Sequence, residues 1–570
     1  MKTFLNLNQT KKRLLFCFGV TFVIGLIGYA FAFFNPSTSV DSASLNMAWE
    51  REHQYVIGRI FQPIYRNVTS IFHSPFLSGI FWLVFLSLAI FYLAEIFSLR
   101  KLFIVFTSAI LTLSACFIKT TKNYPQWNEI YSLCLLLAVL SVYLLKKYKY
   151  GIIGFGLLNV LVLGLYQSYV CVSIGLVAVL AVFDLIKGET IKKVIINTLI
   201  AAVVIVASFI VYFALYKIIL KVLNLSANDA YNSTGGMFSI SITRLPVLFV
   251  KSYVLFFRNL VLFSDYQEVG LFNGFIAPQE IFAVLLAIFS IGLSIYYFIK
   301  LIKIKNLSVG VVIVSVCITL LIPFAFACIC VASNGNGLMN MYLQNLLVYL
   351  LPMFLYTEYS ATTEKTVKYS LKQILIVFAS LFVVELCFVG VWLFKFKDNQ
   401  TIKSFVCQFL IAFIIPIYML ITSRKQEDKT YAGKSFIKLL VVFLSCGLIF
   451  NSVVFANQTH IKVYQDSQRR LVNMTLVVEK IENCDDYEQG MEVVIYGDVG
   501  VVGGSWNGSV KNYLSAWLNK SYNLVEYNKD NLVLTEDEIN NEIKGDKMAC
   551  FPNKDCVKKI GDKLVLKLSE

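Results

Sequence analysis

The chain has 570 residues, of which 58% are hydrophobic, 15% aromatic and 15% charged. Soluble domains run nearer half apolar and a quarter charged, so the composition excludes an ordinary soluble protein. Lys and Arg outnumber Asp and Glu by 50 to 35, but the excess lies in short loops between apolar runs, which argues against a nucleic-acid binder.

Apolar runs long enough to cross about 30 Å of hydrocarbon recur from residue 13 to residue 456. The first, Leu14 to Phe34, follows Lys11-Lys12-Arg13. It is too long for a signal-peptide core, and no small-residue cleavage site follows at Phe33-Phe34-Asn35, so it reads as a retained membrane helix. Thirteen spans are expected in all: 13–34, 76–98, 101–120, 129–146, 151–166, 168–186, 192–221, 280–301, 307–332, 338–356, 369–396, 402–422 and 435–456. The fifth and sixth meet at Tyr166-Gln167-Ser168, either as a tight hairpin or as one broken helix.

Orientation follows from basic residues in short loops. Lys11/Lys12/Arg13, Arg100/Lys101, Lys146/Lys147/Lys149, Lys187/Lys192/Lys193, Lys300/Lys303/Lys305, Lys365/Lys368 and Arg424/Lys425/Lys429/Lys434 fall in alternate loops. That set belongs in the cytoplasm with the N-terminus, and an odd span count puts the C-terminal segment outside. Two outer loops are long, 35–75 and 222–279, and long loops commonly carry function. The first holds Trp49, Tyr55, Ile60, Phe61 and Tyr65 among polar residues, as an interfacial amphipathic helix would. Arg244 to Phe263 repeats the pattern, with Lys251 and Arg258 on the polar side.

Residues 457–570 carry 14 basic and 18 acidic side chains, against 36 and 17 in residues 1–456. The tail is thus an acidic soluble domain, large enough for a modest core. It begins with an amphipathic helix over 461–483, and Met491 to Tyr496 reads as a strand. The Gly497–Gly504 stretch after it has the wrong spacing for a dinucleotide fingerprint and reads as a turn. Cys550 and Cys556 could close a small disulfide loop in an oxidising compartment or remain two thiols.

The densest polar set in the outer loops is Asp41, Glu50, Arg51, Glu52, His53, Arg59 and Arg66. A carboxylate at the end of the first span suits a general base, and the arginines suit an anionic leaving group. The same charges would also solvate a surface loop and anchor interfacial helices. Glu129, opening the fourth span, is either a second active-site acid or a carboxylate favoured by the helix macrodipole. Glu385, mid-membrane, is the lone ionisable residue with a functional reading there, whereas Asp184 pairs readily with Lys187. His53, His73 and His460 lack paired spacing for a metal.

Three segments together resemble the first outer loop of the Gtr type II membrane glucosyltransferases: Val40-Asp41-Ser42, Val56-Ile-Gly58-Arg59-Ile-Phe-Gln62-Pro63-Ile-Tyr65-Arg66 and Ser74-Pro75-Phe-Leu-Ser-Gly79. Asn128-Glu129, Leu165-Tyr166-Gln167-Ser168-Tyr169 and Ala456-Asn457-Gln458 support the resemblance, which extends over nearly the whole chain. It implies an all-α polytopic bundle similar to the GT-C glycosyltransferases, spanning 1–456, with a small α/β extracytoplasmic domain at 457–570. It further implies a multi-pass protein of a bacterial inner membrane. This would be a hexosyltransferase moving glucose from polyprenyl-phosphate glucose to O-antigen or another surface polysaccharide, beside a donor synthase and a flippase. Asp41 and Glu129 would be its catalytic acids. Arg59, Gln62, Tyr65, Arg66, Tyr166 and Gln167 would bind donor phosphate or substrate. The resemblance names no certain cofactor and leaves a divalent cation open. The family often has an acid or His where Val40 stands, and usually Asp where Glu129 stands, which leaves the sugar open. A polysaccharide polymerase or ligase, or a lipid-linked sugar flippase, is the competing reading. A flippase would show internal repeats and polar residues lining several spans, and neither is evident.

Overall fold

A computed structural model describes residues 2–35, 37, 48–69, 74–124, 127–226, 242–261, 278–335, 341–362, 368–370, 430–503, 509–527 and 533–569. Among them, eight helices are long and apolar enough to cross a membrane. The first is α1 (Lys2–Phe34). Two short helices, α2 (Ala48–Val56) and α3 (Gln62–Thr69), form the described part of the first long loop. Next come α4 (Pro75–Phe97), α5 (Lys101–Thr112) and α6 (Ala115–Asn123), then α7 (Asn128–Lys147), α8 (Gly151–Leu165) and α9 (Val170–Ile186). After α10 (Ile191–Val222) the chain forms α11 (Leu245–Val261), α12 (Pro278–Lys305), α13 (Val309–Ala327), the short α14 (Ile329–Ala332) and α15 (Leu350–Thr362).

The expected count of thirteen spans is not reproduced, for identifiable reasons. The crossing at 101–120 is among the eight, as Lys101–Asn123, though it is broken inside: α5 stops at Thr112, and Ser114 starts α6 by accepting a hydrogen bond from Phe117 N (3.2 Å). Helix α8 has only 15 residues, about 22 Å of rise. The stretch expected as a span at 338–356 contains a 3₁₀ segment, Leu343–Tyr349, ahead of α15. The expected spans at 369–396 and 402–422 lie outside the described residues, except for the first two residues of the former. Those two belong to β1 (Lys368–Ser370), which pairs antiparallel with β2 (Thr430–Ala432). The last expected span and the tail helix are one helix, α16 (Gly433–Glu482); no Pro or Gly interrupts Ala456 to Glu482.

The Tyr166 junction is a tight hairpin. Tyr166 is extended (φ −157°, ψ 107°), and the 3₁₀ turn Gln167–Tyr169 feeds α9. Helix α9 then runs back, so that Ile186 O meets Lys305 Nζ at 3.1 Å.

Basic residues gather at one end of the bundle. Arg13 pairs with Glu95 (2.7 Å), Lys146 Nζ donates to Ile96 O (2.8 Å) and Lys305 pairs with Glu358 (2.5 Å). The opposite end carries the first long loop. Helix α16 leaves the bundle there: Asn457 Nδ2 donates to Ile27 O (3.2 Å), and Tyr464 packs edge-on against Phe31. The first loop and the C-terminal domain are therefore on the same side.

That domain is built on a four-stranded sheet of β3 (Glu492–Tyr496), β4 (Asn523–Glu526), β5 (Val557–Ile560) and β6 (Lys563–Lys567), in the order β4-β3-β6-β5. Strand β3 is parallel to both neighbours, and β5 runs antiparallel to β6. Alternation along β3 sends Val493 and Ile495 to the face under Met474, Val477 and Ile481 of α16, and Val494 to the face under Ile539 and Ile543. Lys567 is fully buried, and its ammonium donates to Ile543 O, Gly545 O and Met548 O at 2.8–3.1 Å. Gly497–Gly503 is indeed a turn, with Asp498 Oδ1 accepting from Gly500 N. Cys550 and Cys556 are not joined by a disulfide.

Candidate active site

The site begins where α2 ends. A helix C-terminus leaves carbonyls without intrahelical partners. Gly58, at φ 86°, turns the chain there, and Arg59 N bonds back to Gln54 O (2.8 Å), which closes a Schellman-type cap. The remaining carbonyls are satisfied by the bundle. Tyr216 OH donates to Val56 O (2.8 Å), Gln167 Nε2 to Ile57 O (3.4 Å) and Tyr212 OH to Gly58 O (2.7 Å). Both tyrosines lie on α10, whose 32 residues give about 48 Å of rise, more than the hydrocarbon needs.

One turn later the loop binds the end of α8. Phe61 N donates to Gly164 O (2.9 Å), and Gln62 Nε2 donates to Leu165 O (2.7 Å). Gly164 permits this approach, since a Cβ there would lie 2.2 Å from the Phe61 ring. Gln62 is fully buried, and its Oε1 has no hydrogen-bond partner among the described residues.

Both loop arginines stack on aromatic rings of the bundle. Arg59 Cζ lies 4.9 Å from the Tyr166 ring centroid, and Arg66 Cζ lies 4.3 Å from that of Trp127. Stacking uses the flat face of a guanidinium and keeps its in-plane N–H donors for a second partner. Tyr166 belongs to an aromatic cluster with Tyr131 (4.9 Å) and Tyr169 (5.9 Å).

Glu129 sits in the first turn of α7, buried, with Ser78 of α4 donating its hydroxyl to Oε2. Its position in that turn also satisfies the macrodipole; the two readings from sequence are compatible. Tyr65 of α3 lies within electrostatic reach of the same carboxylate. Burial pushes the Tyr65 phenol above its ordinary range, the Glu129 charge adds to this, and Arg66 opposes it. Burial, and then Arg59, lowers the His53 imidazole below its ordinary value.

Arg59, Gln62, Tyr65, Arg66, Glu129, Tyr166 and Gln167 are thus brought to one end of the bundle. Asp41 lies outside the described residues. Gln62 and Gln167 direct their amide N–H groups to backbone carbonyls, which makes them fasteners of the loop. Ser78, Trp127, Tyr212 and Tyr216 were not picked out from sequence as site residues. The signal for the last two is a pair of hydroxyl tips spaced i, i+4 in an apolar helix whose charged residues, Lys192, Lys193, Lys217 and Lys221, lie toward its ends. No group of three or more His, Cys, Asp or Glu able to hold a metal occurs among the described residues.

A protein-family profile, Glucosyl transferase GtrII, matches residues 30–356, which hold the first loop, α4 to α14, the 3₁₀ segment Leu343–Tyr349 and the first half of α15. No curated protein and no solved structure matches the chain.

Proposed function

Because the chain belongs to the GtrII glucosyltransferase family, we propose that it moves a glucosyl group from polyprenyl-phosphate glucose to a surface polysaccharide such as O-antigen, at the outer face of a bacterial inner membrane. The observation that carries this reading is the meeting of Arg59, Arg66, Tyr65 and Glu129 at the end of the bundle away from the basic loops. Positive residues mark the cytoplasmic side, so the site and the C-terminal domain fall outside.

In this reaction an acceptor oxygen bonds to the sugar's anomeric carbon as the bond from that carbon to the phosphate oxygen breaks. Asp41 takes the proton of the acceptor hydroxyl. Arg59 and Arg66 receive the negative charge left on the lipid phosphate, with the bidentate geometry a guanidinium offers. Tyr166 and its aromatic neighbours give the sugar a ring face to lie against, and Glu129, anchored by Ser78, accepts hydrogen bonds from its hydroxyls. Gln62 and Gln167 keep the loop in register. The bundle is of the GT-C kind, with the polyprenyl chain along its lipid-facing side, and the C-terminal domain guides the polymer.

The test supplies labelled polyprenyl-phosphate glucose to membranes containing the protein. Label should pass from lipid to polymer, and Asp41→Asn, at normal membrane level, should abolish transfer. Transbilayer movement of the lipid without transfer would overturn the reading in favour of a flippase. Undiminished transfer by Asp41→Asn would remove Asp41 as the base.

A further inference from the structure

Cys171 and Cys328 face each other across the contact between α9 and α13, with their sulfurs 3.3 Å apart. Cys171 is the second residue of α9, and Cys328 caps the C-terminus of α13. The two helices run antiparallel, so both thiols lie at the end of the bundle that carries the candidate site. Cys171 follows directly on the Gln167–Tyr169 turn.

The approach is held by packing on either side. Gly175, one turn further along α9, lies so close to α13 that a Cβ there would be 2.0 Å from the Phe326 ring. Phe326 is fully buried, and its carbonyl accepts from Gln344 Nε2 (3.0 Å). The Cys328 thiol lies 3.4 Å from Ala325 O. A disulfide needs sulfurs about 2.05 Å apart, so closing the bond takes little more than 1 Å of movement, within reach of side-chain rotation. Oxidising compartments favour such bonds.

We propose that Cys171 and Cys328 are a disulfide-forming pair that ties the mouth of the bundle across α9 and α13. The oxidant is a low-molecular-weight or protein disulfide of the extracytoplasmic space. Cys328, the less buried of the two, attacks one sulfur of that disulfide as its thiolate and expels the first thiol. Cys171 then attacks Cys328 Sγ of the mixed disulfide and expels the second, which takes up the Cys171 proton. Two protein thiols are oxidised and one external disulfide is reduced to two thiols.

This inference shares the outward orientation of the site with the proposed function but not its chemistry, and one experiment separates the two. Full-length protein in sealed right-side-out and inside-out membrane vesicles is treated with oxidised glutathione, alkylated while denatured without reductant, and digested. The expected result is a Cys171–Cys328 cross-linked peptide from right-side-out vesicles, with Cys330 still alkylated. Cys171→Ala should instead retain glutathione on Cys328, because the resolving thiol is gone. A cross-link from inside-out vesicles only would overturn the extracytoplasmic bond and the outward orientation while leaving the pairing geometry in place. Free alkylation of both thiols in both preparations, or a bond that recruits Cys330, would overturn the pair itself.

Discussion

The two long outer excursions are both amphipathic, yet they are fixed by polar and apolar contact in different proportions. The first, α2 and α3, is held by polar side chains of the bundle that fill the orphan carbonyls at the end of α2: Tyr216 on Val56, Gln167 on Ile57 and Tyr212 on Gly58. The second, α11, has polar ties as well, with Tyr253 OH donating to Leu320 O (2.9 Å) and Asn345 Nδ2 to Phe256 O (3.4 Å). But it also buries Leu248, Leu255, Phe256 and Leu260 and leaves Val247, Val250, Val254 and Phe257 exposed, as suits a helix lying in lipid. Hydrogen bonds to fixed carbonyls set a register to within fractions of an ångström. Apolar contact is non-directional. The loop that carries Arg66 near the Glu129 carboxylate relies more on the first kind of attachment.

The largest effect expected from this contrast is on transfer. Arg66→Ala removes a charge stacked on Trp127 beside Glu129 and should lower transfer by roughly 10²- to 10³-fold, the range for loss of one electrostatic contact to a transition state. Lys251→Ala, on α11, should change it by less than about threefold. Rates measured with labelled donor at matched membrane levels decide this; equal losses would extend the site onto α11 and erase the distinction.

A smaller effect separates the two attachments by stability. Gly164→Ala drives a methyl into the Phe61 ring and should cost about 1–3 kcal/mol, as overpacking does. Its readout is faster amide exchange across 56–66 in detergent-solubilised protein. Exchange in α11 should not change. Tyr212→Phe leaves Gly58 O without its donor and should cost about 1–2 kcal/mol, seen in the same amides. If α11 loosened equally in either variant, the two excursions would be one cooperative unit.

Much of the bundle was legible because hydropathy reads apolar runs directly. Ten of the thirteen expected spans overlap an α-helix of the structure over most of their length, and the tail showed its helix, strand and turn. The failures have a common cause. A run of apolar residues does not reveal a break such as Leu113-Ser114, or the 3₁₀ geometry of Leu343–Tyr349, since neither interrupts the hydropathy. The loop motif named Arg59, Gln62, Tyr65 and Arg66, which the structure brings to one end of the bundle, but not what holds them there. Tyr212 and Tyr216 reach back more than 150 residues, and Ser78 reaches Glu129 across 51. Such pairings are tertiary and leave only a faint local trace.

The smallest expected effect is a difference in pH response. His53, in α2, is held below its ordinary value by burial and by Arg59, so the docked loop favours the neutral imidazole. The undocked loop, with His53 near about 6.5, binds more protons as the pH falls. Stability of docking is therefore complete above that value and declines as pH drops toward the folded value, by at most about 1.4 kcal/mol per pH unit. Helix α11, from Leu245 to Val261, contains no His, Asp or Glu and has no such group to titrate. Amide exchange at pH 5 and pH 7.5, corrected for intrinsic rates, should show loosening of 50–60 at the lower pH and none in α11. His53→Gln should remove the difference. Persistence of the loosening in that variant would move its source to another titrating group of the first loop, and a matching change in α11 would show that the two attachments respond to pH as one.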